Sequence, residues 1–127
     1  MNNVGWIYII GSSSDYSRCK IGKTINNPLK RYLNLRTADP KLHLQVAYCV
    51  PHKLLSKAEA AIHLELEEFR QLTHEDTLSE WFSLDTETAE SLIDMYIESW
   101  FLKKPIVLDS FSCDAPFKMY EDALRSI

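Results

Sequence analysis

The feature that most constrains the fold is a pair of strand-like segments separated by a few turn-forming residues. Residues 4–10 are rich in isoleucine, tryptophan and tyrosine, and they stop at a glycine- and serine-rich turn at 11–15. Residues 17–24 again have a strand-like composition, and they contain Gly22, where the missing side chain lets a ligand or another backbone come close. Because the connection is so short, the two strands must run antiparallel. The chain is therefore expected to begin with a hairpin.

The following part of the chain shows alternating helix and strand patterns. Asn27, followed by a proline, can cap a short helix, and residues 43–50 have the composition of a third strand. Apolar residues at helical spacing predict a helix from residue 54 to about 71, and Asp85 caps a second long helix that ends near residue 101. This order predicts an α+β fold in which a small three-stranded antiparallel sheet is flanked by helices.

The size of the chain is that of one domain. It has 127 residues, of which 46% are hydrophobic. We expect the domain to span residues 1–101, and residues 102–127 to form a C-terminal extension that packs on the domain or on a partner. The sequence has neither an apolar run of about 18 residues nor the layout of a secretory signal, so we expect a soluble cytoplasmic protein.

The three cysteines have neither CxxC spacing nor the spacing of Cys and His ligands in a zinc site. This pattern argues against a disulfide framework and against structural zinc, and it favours buried thiols. The cysteines are Cys19, Cys49 and Cys113.

Basic and acidic side chains are unevenly distributed along the chain. Residues 1–53 hold eight basic side chains against two acidic ones, whereas the whole chain has a net charge of −4. Such a distribution can focus a polyanion at one face while the acidic remainder keeps the chain in solution. A dipolar surface without a partner is equally compatible with the charges alone.

Three polar residues share one side of the helix predicted at residues 54–71. Glu59, His63 and Arg70 lie beside its apolar stripe. A carboxylate in this position could hold a hard divalent cation, with water and phosphate oxygens completing the shell. The alternative is that Glu59 and His63 form a surface pair that contributes about a few tenths of a kcal/mol.

A second group of polar residues belongs to the predicted hairpin and the helix after it. Tyr8 lies on the first strand, Lys20 and Gly22 lie on the second, and Arg31 lies on the helix. Hydrolysis of a phosphodiester needs an activator for water, a cation near the developing charge and a planar donor that clamps the phosphate. A strand tyrosine is also common as a core aromatic with a satisfied hydroxyl. The spacing alone leaves both interpretations open.

The motifs around these residues resemble those of the GIY-YIG endonuclease superfamily. Its two signatures correspond to GWIY at residues 5–8 and KIG at residues 20–22, and the chain is more similar to the phage and bacterial branch. The motifs of that branch occur in order between residues 4 and 98: KIGKT at 20–24, NPLKR at 27–31, TADP at 37–40, AEAAIH at 58–63 and EWF at 80–82. The resemblance implies a GIY-YIG-like fold with a metal-dependent phosphodiesterase site on one face.

The resemblance also implies roles for individual residues. Tyr8 would activate the attacking water as general base or as its relay, Arg31 would clamp the phosphate, and Glu59 would be the single carboxylate on Mg²⁺ or Mn²⁺. Lys20 stands where most of the superfamily has its second tyrosine. His63 would orient Glu59 or contact the DNA.

The function expected from these roles is a metal-dependent endonuclease that hydrolyses DNA phosphodiester bonds. Lys23, Lys30 and Arg36 are expected to contact phosphates, and a second copy of the chain is a further candidate partner. The lysine at position 20 and the absence of any asparagine beyond Asn34 depart from the superfamily pattern. These departures favour the alternative, a catalytically degenerate module that binds nucleic acid or protein.

Overall fold

The computed structural model describes residues 3–73, 78–112 and 114–126. Within them the chain forms seven strands and four α-helices. The strands are β1 (Val4–Ser12), β2 (Asp15–Thr24), β3 (Leu42–Pro51), β4 (Arg70–Leu72), β5 (Leu78–Phe82), β6 (Ile106–Val107) and β7 (Phe117–Met119). The α-helices are α1 (Pro28–Ala38), α2 (Leu55–Glu65), α3 (Thr86–Phe101) and α4 (Glu121–Leu124), and single 3₁₀ turns occur at His52–Leu54 and Glu67–Phe69.

All seven strands belong to one mixed sheet, in the order β4-β5-β2-β1-β3-β7-β6. Neighbouring strands are antiparallel except β6 and β7, which are parallel. The expected three-stranded sheet is therefore wrong. The hairpin and β3 form only its middle, because β4 and β5 extend one side and β7 and β6 the other. The four additional strands are only two to five residues long, which is too short to show a reliable periodicity in the sequence.

The helix expected over residues 54–71 ends at Glu65. Acidic side chains gather at and beyond its carboxyl end, where negative charge opposes the helix dipole. The chain then turns into β4, so Arg70 lies in the sheet, and its Nε donates a hydrogen bond to the Ser79 carbonyl oxygen at 2.7 Å. The expected grouping of Arg70 with Glu59 and His63 on one helix is therefore wrong.

Helices α1 and α3 begin directly after Asn27 and Asp85, which confirms the capping residues predicted from the sequence. The Asn27 side chain accepts a hydrogen bond from the Leu29 amide at 2.9 Å, and Pro28 occupies the first helical position. The Asp85 carboxylate accepts one from the Thr88 amide at 3.0 Å. Each cap satisfies an amide that has no partner within its helix.

The alternation of side chains along β1 divides the core into two layers. Ile7 and Ile9 point to the face covered by α2 and α3. Trp6, Tyr8 and Ile10 point to the other face, which is covered by α1 and α4. Tyr8 and Glu59, which belongs to α2, therefore lie on opposite faces of the sheet.

The C-terminal segment contributes a strand to this sheet. β7 pairs with β3 from Ala47 and Met119 to Cys49 and Phe117. Phe117 and Met119 are fully buried in the same layer as Tyr8. The extension expected at residues 102–127 therefore supplies part of the central core.

Two further expectations concern the cysteines and membrane-spanning helices. Cys19 and Cys49 are buried, and Cys113 lies outside the described residues. Over the same described ranges, no helix combines the length and the apolar character needed to cross a membrane.

Candidate active site

Tyr8 and Gly22 are direct partners on β1 and β2. Tyr8 is 1% exposed, and its hydroxyl occupies the space beside Gly22. A Cβ on residue 22 would overlap the Tyr8 hydroxyl and would lie 3.0 Å from Glu80 Oε1. The glycine predicted to allow a close approach therefore makes room for the phenol of the neighbouring strand.

We expect Gly22→Ala to lower the free energy of unfolding by about 1–3 kcal/mol, because the added methyl group meets a buried ring that has little space to move into. In a Tyr8→Leu background both the hydroxyl and the ring carbon Cζ, which lies 2.7 Å from that Cβ position, are absent, so the same substitution should cost distinctly less. Urea unfolding of the wild type, the two single variants and the double variant measures this difference. Equal costs in both backgrounds would contradict the contact.

Arg31 reaches Tyr8 from α1. Burial raises the pKa of the Tyr8 hydroxyl, and hydrogen bonding from Arg31 opposes this rise without cancelling it. The negative charges of Glu80 and Glu59 raise the pKa further. Tyr8 is therefore a neutral phenol at neutral pH. Arg31 itself is exposed, so an anion in solvent can reach its guanidinium group.

Lys20 and Glu80 form an ion pair at the same edge of the cluster. Lys20 Nζ lies 3.1 Å from Glu80 Oε1, and the lysine side chain is 16% exposed. Lys20 pairs across the sheet with Trp81, which brings the neighbouring Glu80 close to Gly22 and Tyr8. Glu80 belongs to the EWF motif at residues 80–82 but was not among the site residues predicted from the sequence. Its proximity depends on the pairing of β2 with β5, which no local pattern specifies.

Glu59 lies on the other side of β2 and holds a second ion pair. Its Oε1 accepts a hydrogen bond from Lys23 Nζ at 2.8 Å, and this bond raises the pKa of Lys23. The Glu59 side chain is only 10% exposed, and its Oε2 is buried without a hydrogen-bond partner. Burial of a charged oxygen without a partner costs free energy. This oxygen is therefore suited to a cation.

His63 links α2 to β2. Its Nε2 lies 3.0 Å from the Ile21 carbonyl oxygen and 4.0 Å from Glu59 Oε2. Because a carbonyl oxygen can only accept, Nε2 carries the proton in this contact. Glu59 and His63 are 7% and 8% exposed, so the alternative of a surface pair is wrong. His63 instead fixes the helix that carries Glu59 against the strand that carries Gly22.

The end of β2 brings the two ion pairs close to Tyr8. Glu59 and Glu80 both act electrostatically on the Tyr8 hydroxyl, and Glu80 also acts on Lys23. The cluster at this end of the strand, called the Tyr8 cluster below, consists of Tyr8, Lys20, Lys23, Arg31, Glu59, His63 and Glu80. Lys30 and Arg36 are exposed on α1, and Arg36 Nε donates a hydrogen bond to the Pro40 carbonyl oxygen at 3.2 Å. They lie outside these contacts.

The cluster does not form a closed metal site. Within residues 3–73, 78–112 and 114–126, no three or more His, Cys, Asp or Glu side chains are grouped so as to hold a metal ion. Structural zinc sites use four such ligands. Glu59 offers a single carboxylate instead.

The comparison with protein-family models assigns this arrangement to a family. The model of the T5orf172 domain matches residues 5–97, a span that contains the whole Tyr8 cluster. The chain belongs to the T5orf172 domain family. The T5orf172 domain is associated with nuclease-like and DNA-binding functions. Comparisons with curated proteins and with solved structures gave no match.

The T5orf172 match corrects the expected membership of the GIY-YIG superfamily. The matching model is that of the T5orf172 domain, and no GIY-YIG match supports the superfamily assignment. The motifs that suggested it are three to six residues long, and motifs of this length carry a substantial false-positive risk. Roles for the residues of this T5orf172 domain therefore rest on the geometry of the Tyr8 cluster.

Proposed function

We propose that the protein is a metal-dependent endonuclease that hydrolyses DNA phosphodiester bonds at the Tyr8 cluster. The observation that carries this proposal is the buried, partnerless Oε2 of Glu59, whose carboxylate acts electrostatically, from the other face of the sheet, on a buried tyrosine that an exposed arginine contacts. This arrangement combines a cation ligand, a proton-transfer group and a phosphate donor, which are the groups that the reaction needs. The nuclease-like association of the T5orf172 domain agrees with it.

Arg31 is proposed to bind the phosphate. Its guanidinium group is planar, always charged and exposed, and it contacts the Tyr8 side chain. A phosphate bound by Arg31 would lie next to the Tyr8 hydroxyl. This position suits a group that handles the proton of the attacking water.

Tyr8 is proposed to relay that proton. Water adds to phosphorus, the bond from phosphorus to one sugar oxygen breaks, and the leaving oxygen takes up a proton from solvent, which gives a phosphomonoester and a hydroxyl group. Because Tyr8 is neutral, it must pass on its own proton as it accepts one from water. Glu80, whose carboxylate lies beside the same glycine, is the acceptor within the cluster, and Lys20 balances its charge.

Glu59 is proposed to hold Mg²⁺ or Mn²⁺ through its oxygens. The buried partnerless Oε2 fits a hard cation, and the lack of further grouped ligands in the described ranges leaves water and phosphate oxygens to complete the shell. When bound, such an ion would polarise the phosphate and lower the pKa of water bound to it. Lys23 holds the other oxygen of Glu59, and His63 positions its helix.

The basic first half of the chain is proposed to supply affinity that does not depend on DNA sequence. Lys30 and Arg36 are exposed on α1, the helix that also carries Arg31. Contacts from such side chains to phosphates release counterions, so binding should weaken as salt rises.

A specific observation favours a second candidate function, a non-cleaving nucleic-acid-binding module. Both carboxylates of the cluster already have a lysine partner, at 2.8 Å for Lys23 and Glu59 and at 3.1 Å for Lys20 and Glu80. A site whose charges are balanced in this way can bind a polyanion without needing a metal. It would show salt-sensitive binding and no metal-dependent product.

Cleavage of an end-labelled DNA duplex by purified variants tests the proposal. We expect Tyr8→Phe and Arg31→Ala each to reduce the Mg²⁺-dependent rate by roughly 100-fold or more, as expected for loss of a proton-transfer group or a phosphate donor. Tyr32→Phe removes a buried hydroxyl that contacts the Leu42 carbonyl oxygen, and Arg125→Ala removes an exposed arginine on the C-terminal helix end. Both should keep the wild-type rate. Full activity in Tyr8→Phe or Arg31→Ala would contradict the assigned site.

A further inference from the structure

An aromatic and basic surface lies on β2 and β5, next to the Tyr8 cluster. The Arg18 guanidinium carbon lies 4.2 Å from the centroid of the Trp81 ring. The Arg18 side chain is 30% exposed, and Tyr16, two residues earlier on the same strand, is 71% exposed. We call Tyr16, Arg18 and Trp81 the β2 platform. The platform therefore presents an exposed aromatic ring and a partly exposed guanidinium group along one strand.

The β2 platform is continuous with the proposed catalytic cluster. Trp81 pairs with Lys20, and Lys20 is two residues from Gly22, the partner of Tyr8. Four residues of an extended strand span about 13 Å, so Arg18 lies a few nucleotides of a DNA strand away from Gly22. A strand whose phosphate is held by Arg31 could therefore reach the platform with its neighbouring nucleotides.

The side chains of the platform can stack on the faces of exposed bases, in addition to binding phosphates. The Arg18 guanidinium carbon lies over the Trp81 ring, and because the Arg18 side chain is partly exposed, a base can stack on its guanidinium group. The exposed Tyr16 ring offers a second stacking surface. Bases inside a duplex are stacked on each other and do not present their faces to such groups.

We infer that the β2 platform binds unpaired bases, so that the substrate is DNA with a single-stranded segment beside the cleaved phosphate. This inference rests on the proposed function, and it names the substrate class of the same site. Charge agrees with it, because Arg18 and Lys20 follow each other along the strand that leads to the cluster. Asp15 pairs with Arg18 only at 3.7 Å, with its own side chain 47% exposed, so the guanidinium is not tightly neutralised.

Binding of three DNA substrates of one sequence tests the inference. The first is a perfect duplex, the second adds a single-stranded extension, and the third has the same extension with its bases removed and its phosphates kept. We expect the wild type to bind the normal extension about 5- to 100-fold more tightly than the abasic one, which is the range for stacking of one base on an aromatic side chain. The double variant Tyr16→Ala, Arg18→Gln should bind both extensions equally.

Controls separate this inference from the proposed function. Trp100→Ala removes an exposed aromatic on α3, which packs on the opposite face of the sheet, and it should keep the preference for the normal extension. Glu59→Gln should keep the preference while losing cleavage. Preference without cleavage by any form of the protein would support the platform and overturn the nuclease. Equal binding of the normal and abasic extensions, or an unchanged preference in the double variant, would overturn the platform, whereas metal-dependent cutting of the perfect duplex would still support the nuclease.

Discussion

Glu59→Gln is expected to reduce metal-dependent cleavage by about 100-fold or more, because a bound ion contributes several kcal/mol of charge stabilisation in the transition state. The amide keeps the size of the side chain, but it removes the negative charge that would hold the ion. It also leaves Lys23 without its carboxylate partner at 2.8 Å. The substitution therefore tests the cation site with little change in packing.

Two measurements on this variant separate metal binding from folding. Titration with Mn²⁺ should show binding to the wild type and none to Glu59→Gln, and thermal unfolding should show that both are folded. Glu65→Gln, at the exposed carboxyl end of the same helix, is the matched control and should keep activity and Mn²⁺ binding. Wild-type activity in Glu59→Gln would show that this carboxylate does not hold the ion.

The second large effect is expected at Lys118, in the C-terminal strand β7. Its ammonium group lies 2.8 Å from Glu90 Oε2 and 2.8 Å from Asp94 Oδ2 on α3. Tyr48 donates a hydrogen bond to Asp94 at 2.6 Å, and Tyr120 donates one to Glu90 at 2.7 Å. The Lys118 side chain is 9% exposed, so two carboxylates depend on one buried cation.

We expect Lys118→Met to lower the free energy of unfolding by about 3 kcal/mol, since it leaves the buried Glu90 carboxylate and the partly buried Asp94 carboxylate without their compensating charge. Methionine fills a similar volume, so the loss reports charge rather than packing. Urea unfolding monitored by circular dichroism measures it. Lys104→Met, at an exposed position before β6, is the control and should change stability little. A wild-type midpoint for Lys118→Met would show that the ion pairs contribute nothing to the fold.

The same cluster should make stability depend on pH in a defined direction. Burial opposes ionisation of Glu90, but hydrogen bonds from Gln45, Lys118 and Tyr120 outweigh it, so the pKa of Glu90 is lowered. Its contribution is therefore present above the ordinary glutamate pKa and is lost as pH falls through the lowered value. Burial also opposes the charge on Lys118, yet its carboxylate partners raise its pKa, so its contribution is lost only as pH rises through that raised value. In Lys118→Met the loss at alkaline pH should disappear.

Those parts of the fold that depend on local sequence were predictable. The short connection of the first hairpin and the capping residues Asn27 and Asp85 act over a few residues, and the structure confirms the elements they predict. The strands β4, β5 and β7 were not predictable, because each is short and gains its stability from pairing with a partner distant in sequence. For this reason the number of strands predicted for the sheet was wrong.

The residues of the candidate site likewise divide into those that could be predicted from the sequence and those that could not. Tyr8, Gly22 and Arg31 follow one another in adjacent elements, so their proximity could be inferred from the hairpin and the helix after it. Glu80 joins them only through the pairing of β2 with β5. The orphaned oxygen of Glu59 depends on how deeply α2 packs against β2, which a helical pattern does not reveal. The roles of these residues in cleavage stay predictions.

Incubation of the purified wild-type protein with supercoiled plasmid tests the central claim most directly. The proposed nuclease should convert the plasmid to nicked or linear DNA with Mg²⁺ or Mn²⁺, stop when EDTA is added in excess, and resume when the metal is restored. Tyr8→Phe, purified in the same way, should leave the plasmid supercoiled and so exclude a contaminating nuclease. A folded wild-type protein that binds DNA but leaves uncut, with either metal, both the plasmid and a labelled duplex with a single-stranded extension would contradict the claim and identify the domain as a non-cleaving binding module.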